Sequence, residues 1–181
     1  KDVDSLIAYS RAMRVDSPML KAIREVNCQR VPRLLERMSS ALDDLAGKTI
    51  AVLGLTFKPN TDDLRESRSL VLCRSLLDAG AIVRAHDPVA MTRVAEQLPA
   101  VTYCAGALEA AEDADAVIMA TEWKEYAQID LADLRRVMRG NLLVDGRNLY
   151  DPARVEAAGL RYLGIGQAEN RVSSMPSPHT R

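Results

Sequence analysis

The sequence predicts an α/β fold, in which a doubly wound, mostly parallel sheet follows a long helical segment. Three observations support this fold class. From Lys48 onward, short aliphatic runs alternate with segments of helical periodicity. Residues 116–120 are continuously apolar, as in a strand covered on both faces. A helical period also extends over nearly thirty residues before the first strand.

Two helices are predicted before the sheet. The first starts near Lys1, with Asp2 placed as its N-cap. The second spans 17–46, with Ser17 as N-cap and a proline at its first position. Pro32 lies inside this helix and is expected to bend its axis. The helix either packs on the sheet or forms a spine that pairs with its copy in a homodimer. Its length favours the homodimer.

The elements that follow occur at α/β intervals. After a first strand that opens at Thr49 and ends at Gly54, and a helix from Ser67, further strands and helices alternate. The predicted strands lie at 81–86, 101–104 (near an edge of the sheet), 116–120, 141–145 and 161–163; the helices lie at 88–97, 106–112, 130–138 and 151–157. The predicted organisation is a helical segment at 1–47, a sheet domain at 48–166 and a flexible Ser/Pro-rich tail at 167–181.

Composition narrows the function class. The 181 residues carry a net charge of -1, with 48% hydrophobic and 27% charged residues, which is typical of a globular protein and argues against nucleic-acid or membrane binding. The three cysteines have no CxxC or metal-ligand spacing, so we expect no metal site and a reducing, cytoplasmic location. No apolar run is long enough to cross a bilayer.

Candidate ligand-binding residues stand where the strands end. Ligands of doubly wound sheets bind at the carboxyl ends of the strands, and these ends carry cations, hydroxyls and aromatic rings. They comprise Thr56, Phe57, Lys58, Thr61, Asp62, Asp63, Arg65, His86, Asp87, Thr121, Glu122, Trp123, Asp145, Arg147 and Asn148. Such a set suits an anionic ligand with a ring and hydroxyls, such as a nucleotide or a phosphorylated sugar.

Each candidate also has a structural interpretation. Lys58 and Arg65 pair equally well with nearby acids of the same turn, and Arg147 with Asp145. At least one turn aspartate is expected to cap or form an Asx turn. His86 and Trp123 more often pack than bind. A dinucleotide site is disfavoured, because the first strand ends in one glycine where the dinucleotide fingerprint has three.

Three motifs and the first residues of the chain together resemble the nucleotide-sugar dehydrogenase family. The stretch Gly54–Ser67 is similar to the signature of that family's third domain, and Asp87-Pro88 fits the same pattern. The segment 145–152 resembles the UDP-glucose branch more than the GDP-mannose branch. Lys1-Asp2-Val3 resembles the end of the family's Cys-Phe-Pro-Lys-Asp motif, so we expect the chain to begin just after the catalytic cysteine. The resemblance covers residues 1–166.

The resemblance implies an enzyme that oxidises the C6 hydroxyl of UDP-glucose to a carboxylate, with NAD as cofactor, through a cysteine thiohemiacetal and thioester. It implies a Rossmann-like UDP-sugar-binding domain in this chain, a homodimer made by the long helix, and an NAD domain upstream. By position, Phe57, Lys58 and Arg147 would bind the UDP-sugar. Arg65 and Lys1 would lie on the NAD side.

The resemblance also places Asp2 near the catalytic cysteine, where it would activate water or assist proton transfer. None of the three cysteines matches the nucleophile position, so this chain alone is expected to be inactive. Two alternatives remain open. One is a non-catalytic dimerising module that binds a nucleotide or a protein, and the other is a dehydrogenase for GDP-mannose or a UDP-N-acetyl sugar.

Overall fold

A computed structural model of the chain describes residues 2–65 and 67–166. It contains one six-stranded sheet of order β3-β2-β1-β4-β5-β6, in which every pairing is parallel. The strands are β1 Thr49–Leu53, β2 Ile82–His86, β3 Thr102–Tyr103, β4 Ala116–Met119, β5 Leu142–Asp145 and β6 Arg161–Gly164. The predicted α/β, doubly wound, Rossmann-like fold class is therefore confirmed, and β3 lies at an edge as expected.

Eight helices occur in the described part of the chain: α1 Asp2–Ala12, α2 Pro18–Leu42, α3 Arg68–Asp78, α4 Met91–Ala95, α5 Ala107–Ala111, α6 Lys124–Ala127, α7 Leu131–Val137 and α8 Pro152–Ala157. Two sequence predictions need correction, and one helix was missed. Asp2 is the first helical residue of α1 and not a cap before it. The predicted 17–46 helix ends at Leu42, because Asp43 takes a left-handed conformation with φ 64°. The single turn of α6 was not predicted. The proposed tail at 167–181 lies outside the described residues.

The sheet separates two hydrophobic layers. Alternate residues of β1 face opposite sides: Ile50 and Val52 pack under α2, α3 and α4, whereas Ala51 and Leu53 pack under α5 to α8. All four of these side chains are fully buried. Burial of each large aliphatic side chain contributes about 1.5–3 kcal/mol, so the doubly covered centre of the sheet fixes the fold.

Asp115 joins the amino ends of β1 and β4. Its carboxylate accepts a hydrogen bond from the Thr49 N–H at 2.8 Å and two from the Arg139 guanidinium at 3.0 and 2.6 Å. Burial of the carboxyl by itself raises the pKa, but the hydrogen bonds from Arg139 and Thr49 outweigh it and hold the pKa of Asp115 below its ordinary value. The ionised carboxylate is therefore part of the folded state at neutral pH.

The two halves of α2 have different environments. Val31, Leu34 and Met38 are buried in the core beneath the sheet. Two hydrogen bonds to β6 fix this half, from the Arg37 Nη1 to the Gly164 carbonyl and from the Arg161 Nη1 to the Ala41 carbonyl, at 2.9 and 3.0 Å. This half of the helix packs on the sheet, which is one of the two arrangements that the sequence suggested for the long helix.

The other half of α2 projects beyond the sheet and pairs with α1. Ile7 of α1 is buried there. Seven apolar side chains of this hairpin nevertheless stay exposed: Leu6, Tyr9, Met13, Val15, Met19, Ile23 and Val26. Over the residues that the structure describes, no helix is long and apolar enough to cross a membrane. This exposed apolar surface is the part of the long helix that the sheet domain does not cover.

Candidate functional site

The site begins where β1 and β4 leave the sheet. These strands are neighbours from which the chain proceeds to opposite edges, and ligands of doubly wound sheets bind at such a switch point. Gly54 ends β1 with φ +97°, and a Cβ there would lie 2.5 Å from the Thr121 Cβ and 2.7 Å from the Thr121 backbone nitrogen. Glycine is therefore required, because it lets the two strand exits touch.

Residues 54–57 have all four N–H groups and three of their carbonyls hydrogen-bonded within the protein. The N–H of Gly54 donates to the His86 carbonyl at 2.9 Å, and that of Phe57 donates to the Asp63 carbonyl at 3.1 Å. The carbonyls of residues 55, 56 and 57 accept hydrogen bonds from the Ser67 Oγ, the Thr121 Oγ1 and the Arg147 Nη2, respectively. The first strand exit is thus closed by its own hydrogen bonds.

Asp87 takes the two remaining N–H groups of this exit. Its Oδ2 accepts from the Leu55 N–H at 2.7 Å and from the Thr56 N–H at 3.3 Å. Its Oδ1 accepts from the Val89 and Ala90 N–H groups at 3.0 and 2.9 Å. The carboxylate is fully buried, so it connects the ends of β1 and β2 and does not face a ligand.

This arrangement does not fit a dinucleotide at the exit of β1. A dinucleotide site uses free backbone N–H groups after the first strand for the pyrophosphate and an acidic residue after the second strand for the ribose. Here the N–H groups of Leu55 and Thr56 bind Asp87, and Asp87 is buried. A ligand of this strand exit has to be held by side chains.

Two such side chains extend from the turn after β1. Phe57 is 51% exposed. Lys58 is exposed and, over residues 2–65 and 67–166, makes no hydrogen bond or ion pair. The predicted pairing of Lys58 with the turn acids is therefore absent among the described residues, and its ammonium remains available to an anion.

The two aspartates of the turn after β1 pair with arginines. Asp63 accepts from the Arg65 N–H at 3.0 Å, which is the expected Asx turn, and from the Arg65 Nε and Nη2 at 2.9 and 2.8 Å. These contacts raise the pKa of Arg65, which stays charged. Asp62 pairs with Arg93 of α4 at 2.5 Å. Both arginines are exposed, so these pairs contribute little to the stability of the turn.

Arg147 connects three strand exits. Its Nε donates to the Ala120 carbonyl after β4 at 2.9 Å, and its Nη2 donates to the Phe57 carbonyl after β1 at 3.3 Å. Glu122 lies 3.1 Å from the same Nε. The predicted pairing with Asp145 exists only through the Arg147 backbone N–H, at 3.1 Å. Phe57 and Arg147, ninety positions apart, are thus brought together at the switch point.

Asp145 has the same structural role as Asp87. Its second oxygen accepts from the Tyr150 N–H at 2.9 Å and from the Tyr162 hydroxyl at 3.2 Å, and the carboxylate is fully buried. Sequence reasoning placed both aspartates among the candidate ligand contacts. The residue after each aspartate could have indicated its structural role. Pro88 and Gly146 each begin a tight turn, and the N–H groups of such a turn need an acceptor.

His86 and Trp123 are part of the packing around the site. His86 is buried with its Nδ1 3.0 Å from the Tyr126 hydroxyl, which itself donates to the His86 carbonyl at 2.9 Å. Burial and the nearby Asp87 raise the pKa of Tyr126, so the phenol stays protonated. Trp123 is buried in the layer under α5 to α8. Neither ring is placed to contact a ligand directly.

The other predicted site residues lie apart from this cluster. Asp2 is exposed at the start of α1, and within the described chain no hydrogen bond or ion pair joins it to the strand ends. Lys1 lies outside the described residues. In the part of the chain that the structure covers, no group of three His, Cys, Asp or Glu side chains is placed to hold a metal ion.

Comparison with known proteins gives a consistent result. Residues 51–152 match the UDP binding domain of the UDP-glucose/GDP-mannose dehydrogenase family. The UDP-glucose 6-dehydrogenase of Pseudomonas aeruginosa is 44% identical over 174 residues, which is 92% of this chain and 38% of that protein. The UDP-glucose 6-dehydrogenase YwqF of Bacillus subtilis is 38% identical over 168 residues, again 92% of this chain and 38% of that protein.

A solved structure agrees in fold. The UDP-glucose dehydrogenase of the archaeon Pyrobaculum islandicum superposes with a TM-score of 0.80 at 33% identity, over 92% of this chain and 36% of that one. The chain thus spans less than two fifths of the length of these relatives. Phe57, Lys58, Arg65 and Arg147 all fall within the matched residues 51–152.

Proposed function

Because the chain belongs to the UDP-glucose/GDP-mannose dehydrogenase family, we propose that residues 48–166 bind the UDP part of a nucleotide sugar at the carboxyl ends of β1, β4 and β5. The observation that carries the proposal is the hydrogen bond from Arg147 to the Phe57 carbonyl, next to the exposed Lys58, beside a strand exit whose N–H groups are all hydrogen-bonded within the protein. Recognition by side chains suits one diphosphate and one ring better than a dinucleotide.

Each proposed contact has a chemical role. The Lys58 ammonium neutralises a phosphate oxygen, and Arg147 donates N–H groups to the diphosphate. Nη1 of Arg147 makes no hydrogen bond to the described residues, so two of its five donors are fully available. The exposed Phe57 ring covers an apolar face of the ligand. Together these side chains supply charge, geometry and an apolar contact.

The proposed activity of the protein that carries this segment is oxidation of the C6 hydroxyl of UDP-glucose to a carboxylate, with NAD as cofactor, through a cysteine thioester. UDP-glucose is favoured because the relatives in P. aeruginosa and B. subtilis bear that name. We assign Arg65 and Lys1 to the NAD side of the site, and Asp2 to a position near the catalytic cysteine. We derive only the binding of UDP from this chain, since the exit of β1 does not fit the cofactor.

Titration calorimetry on the 181-residue chain tests the UDP site. We expect UDP to bind and NAD⁺ to bind more weakly or not at all. Lys58→Ala removes one charge-assisted hydrogen bond, worth about 1.5 kcal/mol, so it should weaken UDP binding by about tenfold. Lys21→Ala, on α2 and paired with Asp16, is the matched control and should leave the affinity unchanged. Tighter binding of NAD⁺ than of UDP would refute the assignment.

The sugar is tested in the same experiment by comparing UDP-glucose, a UDP-N-acetyl sugar and GDP-mannose. Preference for GDP-mannose would favour a dehydrogenase for a different nucleotide sugar. The absence of any nucleotide affinity in a folded chain would favour the non-catalytic interaction module. Only a bound ligand raises the melting temperature, so a thermal-shift assay provides an independent readout.

We further propose that the chain forms a homodimer through the α1–α2 hairpin, which is the dimerisation segment at 1–47. Its support is the exposed apolar surface described above, which is more than isolated surface residues. Met19→Asp combined with Val26→Asp should convert a dimer to a monomer in size-exclusion chromatography with light scattering. Ser40→Asp, on the half of α2 that packs on the sheet, should leave the dimer intact. A monomeric wild-type chain would contradict the proposal.

The proposal includes a cytoplasmic location and no nucleic-acid or membrane partner. Cys28, Cys73 and Cys104 are all free, which agrees with a reducing, cytoplasmic environment. The net charge of -1 supports the expectation that neither nucleic acid nor a membrane surface is a partner.

A further inference from the structure

Arg147 has two kinds of partner that act differently on its charge. The backbone carbonyls of Ala120 and Phe57 accept its hydrogen bonds and fix the direction of the guanidinium, but they leave its charge in place. Glu122 lies 3.1 Å from the Nε as an ion pair without a hydrogen bond, since the Nε–H is directed at the Ala120 carbonyl. The carbonyls position the guanidinium and Glu122 supplies the counter-charge.

We propose that Glu122 is a specificity-determining residue, whose carboxylate competes with the ligand's phosphates for Arg147 and so disfavours the more highly charged ligand. The inference rests on the proposed UDP site. The two carbonyls hold Arg147 in place in addition to Glu122. An anion that reaches Arg147 has to share the guanidinium with a carboxylate already beside it.

The ion pair is well suited to be displaced. The side chains of Arg147 and Glu122 are 36% and 41% exposed, and pairs in such positions contribute little to stability. A phosphate therefore loses little in displacing the carboxylate from the guanidinium. The carboxylate stays tethered to the exit of β4 between two buried residues, Thr121 and Trp123, so it remains close to the ligand and repels it.

This repulsion depends on the charge of the ligand. The terminal phosphate of UDP is joined only by an anhydride bond and keeps a second ionisable proton with a pKa near 6, as in a phosphate monoester, so at pH 8 it carries about one more negative charge than the corresponding phosphate of UDP-glucose, which is esterified by the sugar. A fixed carboxylate at Arg147 disfavours UDP more than UDP-glucose. Glu122 thereby selects the nucleotide sugar against the free nucleotide without contacting the sugar.

The test compares four chains by calorimetry at pH 8: wild type, Glu122→Gln, Arg147→Ala and the double variant, each with UDP and with UDP-glucose. Glutamine keeps the size and shape of the side chain and removes its charge. We expect Glu122→Gln to tighten UDP about fivefold and UDP-glucose about twofold. Glu156→Gln, an exposed glutamate of α8, is the control and should change neither affinity.

Two further readouts separate competition from a structural effect. The gain in Glu122→Gln should shrink at 0.5 M salt, where the Debye length is about 4 Å, and it should be smaller in the Arg147→Ala background. Equal or weaker UDP binding by Glu122→Gln, with UDP binding to the wild type, would overturn the inference alone. Absence of UDP binding to the wild-type chain would overturn the proposed function and this inference with it.

Discussion

Gly54→Ala should destabilise the fold far more than the same change at other left-handed glycines. Gly54 has φ +97°, and a Cβ added there meets the Thr121 Cβ, Oγ1 and backbone nitrogen at 2.5, 2.6 and 2.7 Å. Strain of an L-residue at this φ costs about 1–3 kcal/mol. Overpacking against Thr121 costs about another 1–3 kcal/mol, because the backbone nitrogen cannot rotate away.

The expected loss in free energy of unfolding is thus about 4 kcal/mol at the middle of the range. For a chain of this size it corresponds to a fall in melting temperature of about 8–16 °C. Urea denaturation followed by circular dichroism gives the free energy directly, with the slope of the transition as a check on two-state behaviour. The loss of the 2.8 Å hydrogen bond from Thr121 to the Thr56 carbonyl is part of the same disruption.

Gly47→Ala and Gly159→Ala are the matched controls. Both glycines have positive φ, +72° and +81°, but an added Cβ meets nothing within 4 Å. They should therefore show the backbone strain alone, about 1–2 kcal/mol. A Gly54→Ala chain as stable as either control would show that the exits of β1 and β4 do not touch as described.

Three other predictions concern charge, thiols and the buried carboxylate at the site. Asp115→Asn should lower the free energy of unfolding by about 1–3 kcal/mol at pH 7. Because the pKa of Asp115 is lowered in the folded state, the ionised carboxylate contributes stability above about pH 4, and this contribution is lost as the pH falls through the folded pKa. The denaturation curves of the variant and the wild type should therefore converge in acid. A thiol reagent at pH 8 should label the exposed Cys28 quickly. Cys73 and Cys104 should react only when the chain unfolds, because both are buried and burial raises the pKa of Cys73 to about 12. Rapid labelling of all three cysteines in the native state would contradict this. Asp87→Ala leaves four backbone N–H groups without their acceptor and should cost at least about 3 kcal/mol in urea denaturation, whereas Asp62→Ala, on the exposed turn, should cost under about 1 kcal/mol.

Local patterns in the sequence were sufficient for most of the fold. Aliphatic runs identified all six strands to within one or two residues, because buried parallel strands leave little room for polar residues. The single turn of α6 was missed, since four residues show no period. The end of α2 was placed four residues too late, because Leu45 continues the apolar pattern from a loop that packs under the sheet.

The candidate site was predictable in composition but not in geometry. In a parallel sheet the carboxyl ends of all strands lie on the same side, so Phe57 and Arg147 were expected near each other. The contact between them spans ninety positions and depends on the strand order, which no local pattern contains. For the same reason the burial of Asp87 and the pairing of Glu122 with Arg147 required the structure. Charge alone does not distinguish an aspartate that binds backbone N–H groups from one that faces a ligand.

The position of β1 has a consequence for synthesis of the chain. It is the first strand of this sheet in chain order, yet it lies in the middle of the sheet, between β2 and β4. Its second edge stays open until residue 119 has been made, well after the first edge can close. During that interval an apolar strand with free backbone groups is exposed to other nascent chains. The strand that leads into the proposed binding site thus stays paired on one side only until β4 has been made.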